Sequence, residues 1–387
     1  MPDFRKQYVA APTRYANMEY RRCGASGLKL SAVSLGMWHN FGKLTPYEQM
    51  CSIALTAFDN GITHFDLANN YGPEYGEAER SMGRLLHDYL RPYRDELIIS
   101  TKAGYDMWPG PYGDHGSRKY LLASLDQSLE RMGLDYVDIF YHHRMDPETP
   151  LEETIGALAS AVEQGKALYV GLSRYDEPTL RRATAILEER HVPYVINQYR
   201  YNLLDRSIER DGTKAASAEL GRGIITFSPL AQGLLTDRYL DGVPADSRMA
   251  HDPRYLKRSA LTGEVHDRLV RLNENGPARS AIASRFRAAA CPCHPERTHR
   301  RLSSRAGARQ HPCAREPRLL GRRARGHRRG VPVLVAVRRA KTLSASGMTL
   351  PDAYVLTACY RLRTEVDRSG PTLTDFKGLK GHFVYRC

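Results

Sequence analysis

The chain has 387 residues, enough for one large α/β barrel of about 250 residues plus further segments. Its formal net charge of +14 would ordinarily point to an anionic partner, but residues 276–340 alone carry 17 Arg, no Lys and two acids (Glu296 and Glu316). The remainder holds 40 basic against 41 acidic residues, so the body is nearly neutral, which argues against nucleic acid or a membrane surface as its partner.

Cysteine usage divides the chain in the same way. Only Cys23 and Cys51 precede residue 276, whereas Cys291, Cys293, Cys313, Cys359 and Cys387 follow it, and no disulfide framework is implied. The opening MPDFRKQYVAAPTRY lacks the long apolar core of a signal peptide, and no run of about 18 apolar residues is available to span a bilayer. A cytoplasmic protein is therefore expected.

Residues 1–17 read as an N-terminal extension. Met18–Leu30 alternates around a CGASG turn and predicts a β-hairpin, after which Leu30–Gly36 reads as the first long strand, with Trp38 and His39 on its exit loop. Thr45-Pro46-Tyr47-Glu48 has the form of a capping box with proline at the first helical position, opening a helix that stops at Gly61. Ile62–Ala68 reads as a buried strand, broken off by the polar loop Asn69–Gly76, and a helix is expected from about Glu77 to Leu90.

The unit then repeats. Leu97–Ala103 and Tyr136–His143 read as strands, with a helix over Arg118–Met132 between them whose Leu121, Leu122, Leu125, Leu129 and Met132 share one stripe. Thr149-Pro150-Leu151-Glu152 repeats the capping pattern, and its helix ends at Gly165. Strands follow at Ala167–Ser173, Tyr194–Gln198 and Gly223–Ser228, with helices near Pro178–Arg190, Thr213–Leu220 and Gly263–Asn275. Strict alternation at the spacing of βα units favours a parallel sheet, and polar groups on successive strand ends favour a closed (β/α)8 barrel over a doubly wound sheet. No Gly-rich dinucleotide fingerprint follows any strand.

The chemistry-bearing residues lie on those strand ends. Asp66 ends a buried strand, and a buried carboxylate must be charge-paired or strongly hydrogen-bonded. Lys102 and His143 end the next two strands, and Tyr71 stands just past Asp66, so neighbouring parallel strands would bring all four to one rim. A free tyrosine has a pKa of about 10, too high for an efficient proton donor at neutral pH. A lysine held beside it by Asp66 would favour the phenolate and lower that pKa. Tyr71 could then protonate a carbonyl oxygen that His143 orients, while a hydride reaches the carbon.

Asp, Tyr, Lys and His in this order at strand ends resemble the aldo-keto reductases. GMWHNFG, HFDLANNYGP, STKAGYDMWPGPYG, SRKYLLASLDQSL and MGLDYVDIFY extend the likeness over residues 15–275, nearest to the bacterial L-glyceraldehyde 3-phosphate reductase branch, which is related to potassium-channel β subunits. The resemblance implies NADPH-dependent reduction of small aldehydes such as L-glyceraldehyde 3-phosphate or methylglyoxal, and a hairpin that closes the bottom of the barrel. It places Ser173, Arg174 and Gln198 at the nicotinamide amide or nearby cofactor backbone. Phe227 would stack on nicotinamide, and Ser228, Leu230, Gln232 and Gly233 would wrap the pyrophosphate. Trp38, His39 and Trp108 would line the substrate pocket, with Arg144 or Arg174 near a substrate phosphate. The channel-related branch also admits a non-catalytic NADPH-binding regulatory subunit, and a homo-oligomer is left open.

Beyond about residue 275 the family pattern stops, and no stretch like the one that grips the adenosine 2′-phosphate is visible. Two readings of the Arg-rich segment 276–347 compete: a basic tail for an anionic ligand, or a gene read out of frame, and lysine-free arginine with scattered cysteine favours the second. Cys291, Cys293, His294, His299 and Cys313 match no common zinc spacing, so no metal is expected. Val331–Val337 is the one apolar run that could replace an eighth strand, Leu350–Tyr360 could form a short helix, and 348–387 is a tail of no assigned role. The eighth βα unit is thus expected to be missing or atypical.

Overall fold

The computed structural model describes residues 8–274, apart from 73, 246 and 252–255, together with 354–357 and 384–385. Two short antiparallel strands, β1 (Tyr20–Arg22) and β2 (Lys29–Ser31), form the expected hairpin. Gly24 at its turn has φ 57°, and a side chain there would meet the Gly221 carbonyl oxygen at 2.2 Å, so only glycine lets the hairpin press this closely on the sheet. Cys23 Sγ approaches the Val195 carbonyl at 3.4 Å and Ala25 N–H donates to Gly221 O at 2.8 Å, which seats the hairpin on the N-terminal ends of later strands.

The predicted first strand is split. Lys29–Ser31 belongs to the hairpin, and the sheet begins with β3 (Val33–Gly36). Alternation then proceeds as read: α1 (Tyr47–Asp59), β4 (His64–Asp66), α2 (Glu77–Leu85), β5 (Ile98–Ala103), α3 (Arg118–Met132), β6 (Val137–His142) and α4 (Leu151–Glu163). It continues through β7 (Ala167–Ser173), α5 (Glu177–Glu189), β8 (Tyr194–Arg200), α6 (Ser207–Arg210), α7 (Thr213–Glu219), β9 (Gly223–Phe227), α8 (Arg248–His251) and α9 (Gly263–Glu274).

Strands β3 to β9 pair in order, each parallel to the next. The eighth place is filled by β10 (Tyr354–Thr357), which runs parallel to β9 and returns to β3 through Leu356 and Val33, closing the ring. Within Leu350–Tyr360, where a short helix is expected, Tyr354–Thr357 form a strand instead, and the other residues of that stretch lie outside the described ones. The open ring needs a partner for the edges of both β3 and β9, and Tyr-Val-Leu-Thr suits a strand better than a helix. A last strand, β11 (Val384–Tyr385), adds antiparallel to β3. Val331–Val337, the Arg-rich segment, the candidate zinc residues and the rest of the tail lie outside the described residues.

Both capping boxes are also corrected. Pro46 and Pro150 are themselves the residues before the first helical turn, extended at ψ 139° and 132°, with no side-chain cap. Thr45 and Thr149 consequently stand one residue too far out to reach the helix amides. Helix α3 does have the expected start, with Ser117 accepting from Tyr120 N–H, and stops at Gly133 in the left-handed region.

Alternation along the strands sorts side chains to two faces. On β6, Phe140 joins the cluster packed between ring and helices, while Ile139 and Tyr141 join the cluster with Cys23, Leu30 and Ile225 inside the ring, above the hairpin. Tyr141 fits because its neighbour across the ladder is Gly171, where a Cβ would meet the tyrosine ring at 2.3 Å.

Candidate active site

Register places the polar strand ends together. Asp66 is paired with Ser100 across the β4–β5 ladder, Lys102 with Tyr141 across β5–β6, and Ser173 with Gln198 across β7–β8. Asp66 and Lys102 are fully buried. Lys102 Nζ donates to Asp66 Oδ2 at 2.8 Å and to the Leu67 carbonyl at 2.5 Å. Asp66 accepts two more bonds, from Ser100 Oγ at 2.7 Å and from Gln198 Nε2 at 3.1 Å. A buried ion pair with this many accessory donors meets the condition under which its desolvation is offset.

Tyr71 and His143 complete the cluster. The Lys102 ammonium lies 4.9 Å from the centroid of the Tyr71 ring, and the same ring meets His143 edge-on with centroids 5.7 Å apart. Tyr71 N–H donates to the Ala68 carbonyl at 3.1 Å, which turns the chain back over the strand end. His143 is held by Tyr105, whose ring centroid is 4.7 Å away at 87°. Burial first, then the positive charges of Lys102, Arg174 and Arg144, pushes the His143 pKa well below its ordinary value, so the ring is neutral at physiological pH. Its Nδ1 is buried with no hydrogen-bond partner among the described residues.

The residues expected at the cofactor gather on the next strand ends. Ser173 Oγ and Arg174 N–H both donate to the Gln198 carbonyl, at 3.1 Å each, and the Arg174 guanidinium stacks 4.9 Å from the centre of the Phe227 ring. After β9 the chain passes through Ser228, Ala231 and Gln232 in the left-handed region (φ 55°, 48° and 58°) before Gly233 at φ 108°. Non-glycine residues rarely take this conformation, and a run of them is held only by its surroundings. Asn202 Nδ2 is part of that support, donating to Ser228 O at 3.0 Å.

The residues expected on the substrate side are more dispersed. Trp38 and His39 leave β3 directly after Met37, whose N–H donates to Asp66 O at 3.0 Å, and their rings lie 5.3 Å apart. Trp108 packs on Tyr120 at 5.2 Å, and Tyr120 is tied to the strand end by Asn69 Nδ2 at 2.9 Å. Arg144 is committed elsewhere: it binds both carboxylate oxygens of Asp114 at 2.8 and 2.9 Å and the Gly104 carbonyl at 2.7 Å. Among the described residues no group of three or more His, Cys, Asp or Glu could hold a metal, and no helix is long and apolar enough to cross a membrane.

Sequence reading missed Ser100, His64 and Asn69, although His64 and Ser100 each stand two residues before a residue that it singled out, on the same face of the strand. His64 on β4 and His142 on β6 are fully buried, and burial lowers each pKa to about 4. A folded-state value below the unfolded one means that the unfolded chain binds the proton first. Their contribution to stability is thus complete above about pH 6.5 and is lost as pH falls toward 4, at no more than about 1.4 kcal/mol per unit and group. Denaturant midpoints measured through this window are expected to fall, and less steeply in His142→Gln.

Active sites of (β/α)8 enzymes are built at the C-terminal ends of the strands, where these residues lie, so fold and position define a barrel enzyme. Residues 32–289 match the model of the aldo/keto reductase family. The chain is 56% identical over 275 residues to L-glyceraldehyde 3-phosphate reductase of Escherichia coli K12, covering 70% of this chain and 80% of the relative. It is 34% identical over 269 residues to a probable voltage-gated potassium channel subunit beta of Oryza sativa subsp. japonica (68% and 80%), and 34% over 253 residues to one of Arabidopsis thaliana (64% and 75%). The chain belongs to the aldo/keto reductase family and is an oxidoreductase of it.

Proposed function

We propose that this chain reduces small aldehydes to alcohols with NADPH, with Tyr71 as the proton donor. The observation that carries the reading is the Lys102 ammonium 4.9 Å from the Tyr71 ring, fixed by Asp66 in a fully buried pair. A positive charge at this range favours the phenolate, and Asp66 holds it there. Tyr71 gives its proton to the carbonyl oxygen as negative charge develops on it. His143, kept neutral by burial and edge-on to the Tyr71 ring, orients that oxygen. When bound, the nicotinamide cofactor supplies the hydride.

The residues present suit such a cofactor. Gln198 gives its Nε2 hydrogen to Asp66, which leaves its side-chain oxygen as an acceptor for a carboxamide. Phe227 offers a half-buried ring, and Arg174 a cation beside it. Gln232 Oε1 is buried without a hydrogen-bond partner among the described residues, in the loop where Ser228, Ala231 and Gln232 take left-handed backbone angles. Of the two candidate cations, Arg144 is bound to Asp114, so Arg174 is the better placed to meet a substrate phosphate, consistent with the relative named for glyceraldehyde 3-phosphate.

Mixing the protein with NADPH and L-glyceraldehyde 3-phosphate or methylglyoxal is expected to consume nicotinamide absorbance in proportion to enzyme. Saturable NADPH binding with no turnover on either aldehyde would instead support a regulatory subunit, the reading favoured by the 34% likeness to channel β subunits.

A further inference from the structure

Beneath the Asp66–Lys102 pair, the ring interior holds polar side chains that the proposed chemistry does not use. Ser34, His64 and Ser100 share 0% exposure with Asp66 and Lys102. Ser34 Oγ lies 2.8 Å from His64 Nδ1, and His64 Nε2 lies 3.0 Å from Ser100 Oγ. The file climbs from β3 to β4 to β5 and back to Asp66 on β4.

Its direction is set from the upper end. Asp66, ion-paired with Lys102, only accepts hydrogen bonds. Ser100 therefore gives it its one proton, at 2.7 Å, in preference to the Phe65 carbonyl at 3.5 Å. The Ser100 oxygen must then receive from His64 Nε2–H, and a neutral imidazole with that tautomer accepts at Nδ1 from the Ser34 hydroxyl. Burial keeps the imidazole neutral, with its pKa lowered to about 4. A chain of bonds all pointing one way polarises each member, and a low-dielectric interior strengthens the effect.

We propose that Ser34, His64 and Ser100 are positioning residues, a one-way hydrogen-bond file that orients Asp66 and, through Asp66 and Lys102, tunes the acidity of the Tyr71 phenol. The inference rests on the reading of Tyr71 as proton donor. The hydrogen that Ser100 places on Asp66 Oδ1 offsets part of the carboxylate charge. Without it the anion draws more of the lysine's positive potential to itself, the phenolate is less stabilised, and the phenol becomes less acidic. The titratable and charged groups around this centre are Asp66 and His64 on β4, Lys102 on β5, Tyr141 and His143 at the end of β6, Arg144 beyond it and Arg174 after β7. A Ser100 substitution leaves all of them in place.

The test is the pH profile of kcat/KM for glyceraldehyde 3-phosphate at saturating NADPH, from about pH 6 to about pH 10, in wild type, Tyr71→Phe, Ser100→Ala and Ser100→Thr. Wild type is expected to lose activity along an alkaline limb that Tyr71→Phe lacks. Ser100→Ala is expected to move that limb upward by about half a unit, and Ser100→Thr, which keeps the hydroxyl, to restore it. A lower rate with the limb unmoved, or a limb moved downward, would mean that Ser100 only packs the interior and would overturn the file. Should Ser100→Ala not fold, Ser34→Ala at the far end is expected to give a smaller shift of the same sign, and no shift there sinks the proposal equally. A wild type without any Tyr71-dependent limb refutes the proton-donor reading itself, which separates the two failures.

Discussion

Tyr71→Phe is expected to cut kcat for aldehyde reduction by about 10²- to 10⁴-fold, the usual contribution of a positioned general acid. The phenylalanine ring keeps the edge-on contact with His143 and the face toward Lys102, so only the ionisable oxygen is removed. NADPH affinity and the unfolding transition are therefore expected to stay close to wild type. Single-turnover measurement of the hydride step, with cofactor binding read separately, distinguishes this from loss of binding. A variant that turns over at the wild-type rate would remove Tyr71 from its assigned role.

Lys102→Met is expected to be costly in a second way. Asp66 is at 0% exposure, and Ser100 and Gln198 would be its remaining donors, neither of them charged. Breaking a buried pair by removing one partner typically destabilises by about 3–5 kcal/mol, because the surviving charge has no counterion. Denaturant unfolding is expected to show a loss of that order, together with loss of activity. Adding Asp66→Asn to the same chain is expected to recover most of the stability and none of the activity. Stability and catalysis part company in the double variant because the first needs only a satisfied interior, whereas the second needs the charge.

The sequence carried the barrel because each βα unit has its own markers: apolar runs bounded by Gly, Pro and Asn, and helix stripes such as Leu121, Leu125 and Leu129. It carried the four rim residues because charge at the end of a buried strand demands a partner. The support beneath them was harder to see. Strands of a closed parallel ring are buried on both faces, so the hydrophobic alternation that would mark Ser34, His64 and Ser100 as inward-facing is absent. The remaining signal is the two-residue spacing in His64-Phe65-Asp66 and Ser100-Thr101-Lys102, which puts each pair on one face.

The misread elements have local causes. Thr45 and Thr149 resemble caps, but the prolines that follow take the capping position themselves. By contrast, the helix expected from about Glu77 to Leu90 is present over that span, regular to Leu85 and more loosely wound through Leu86–Leu90, and a tighter turn over Arg91–Glu96 follows, with Pro92 near its start. Tyr354–Thr357 is a strand because the ring has a vacancy between β9 and β3, a long-range demand that no window of sequence contains.

The proposed reduction depends on a phenol made acidic by a fixed ammonium. Its most direct test is a titration of ring-labelled tyrosine by ¹³C NMR in the NADP⁺ complex, with the Tyr71 resonance identified by its disappearance in Tyr71→Phe. An apparent pKa below the usual tyrosine value of about 10, rising in the Asp66→Asn/Lys102→Met double variant, is the predicted result. A value at or above 10 that does not respond to that replacement would contradict it.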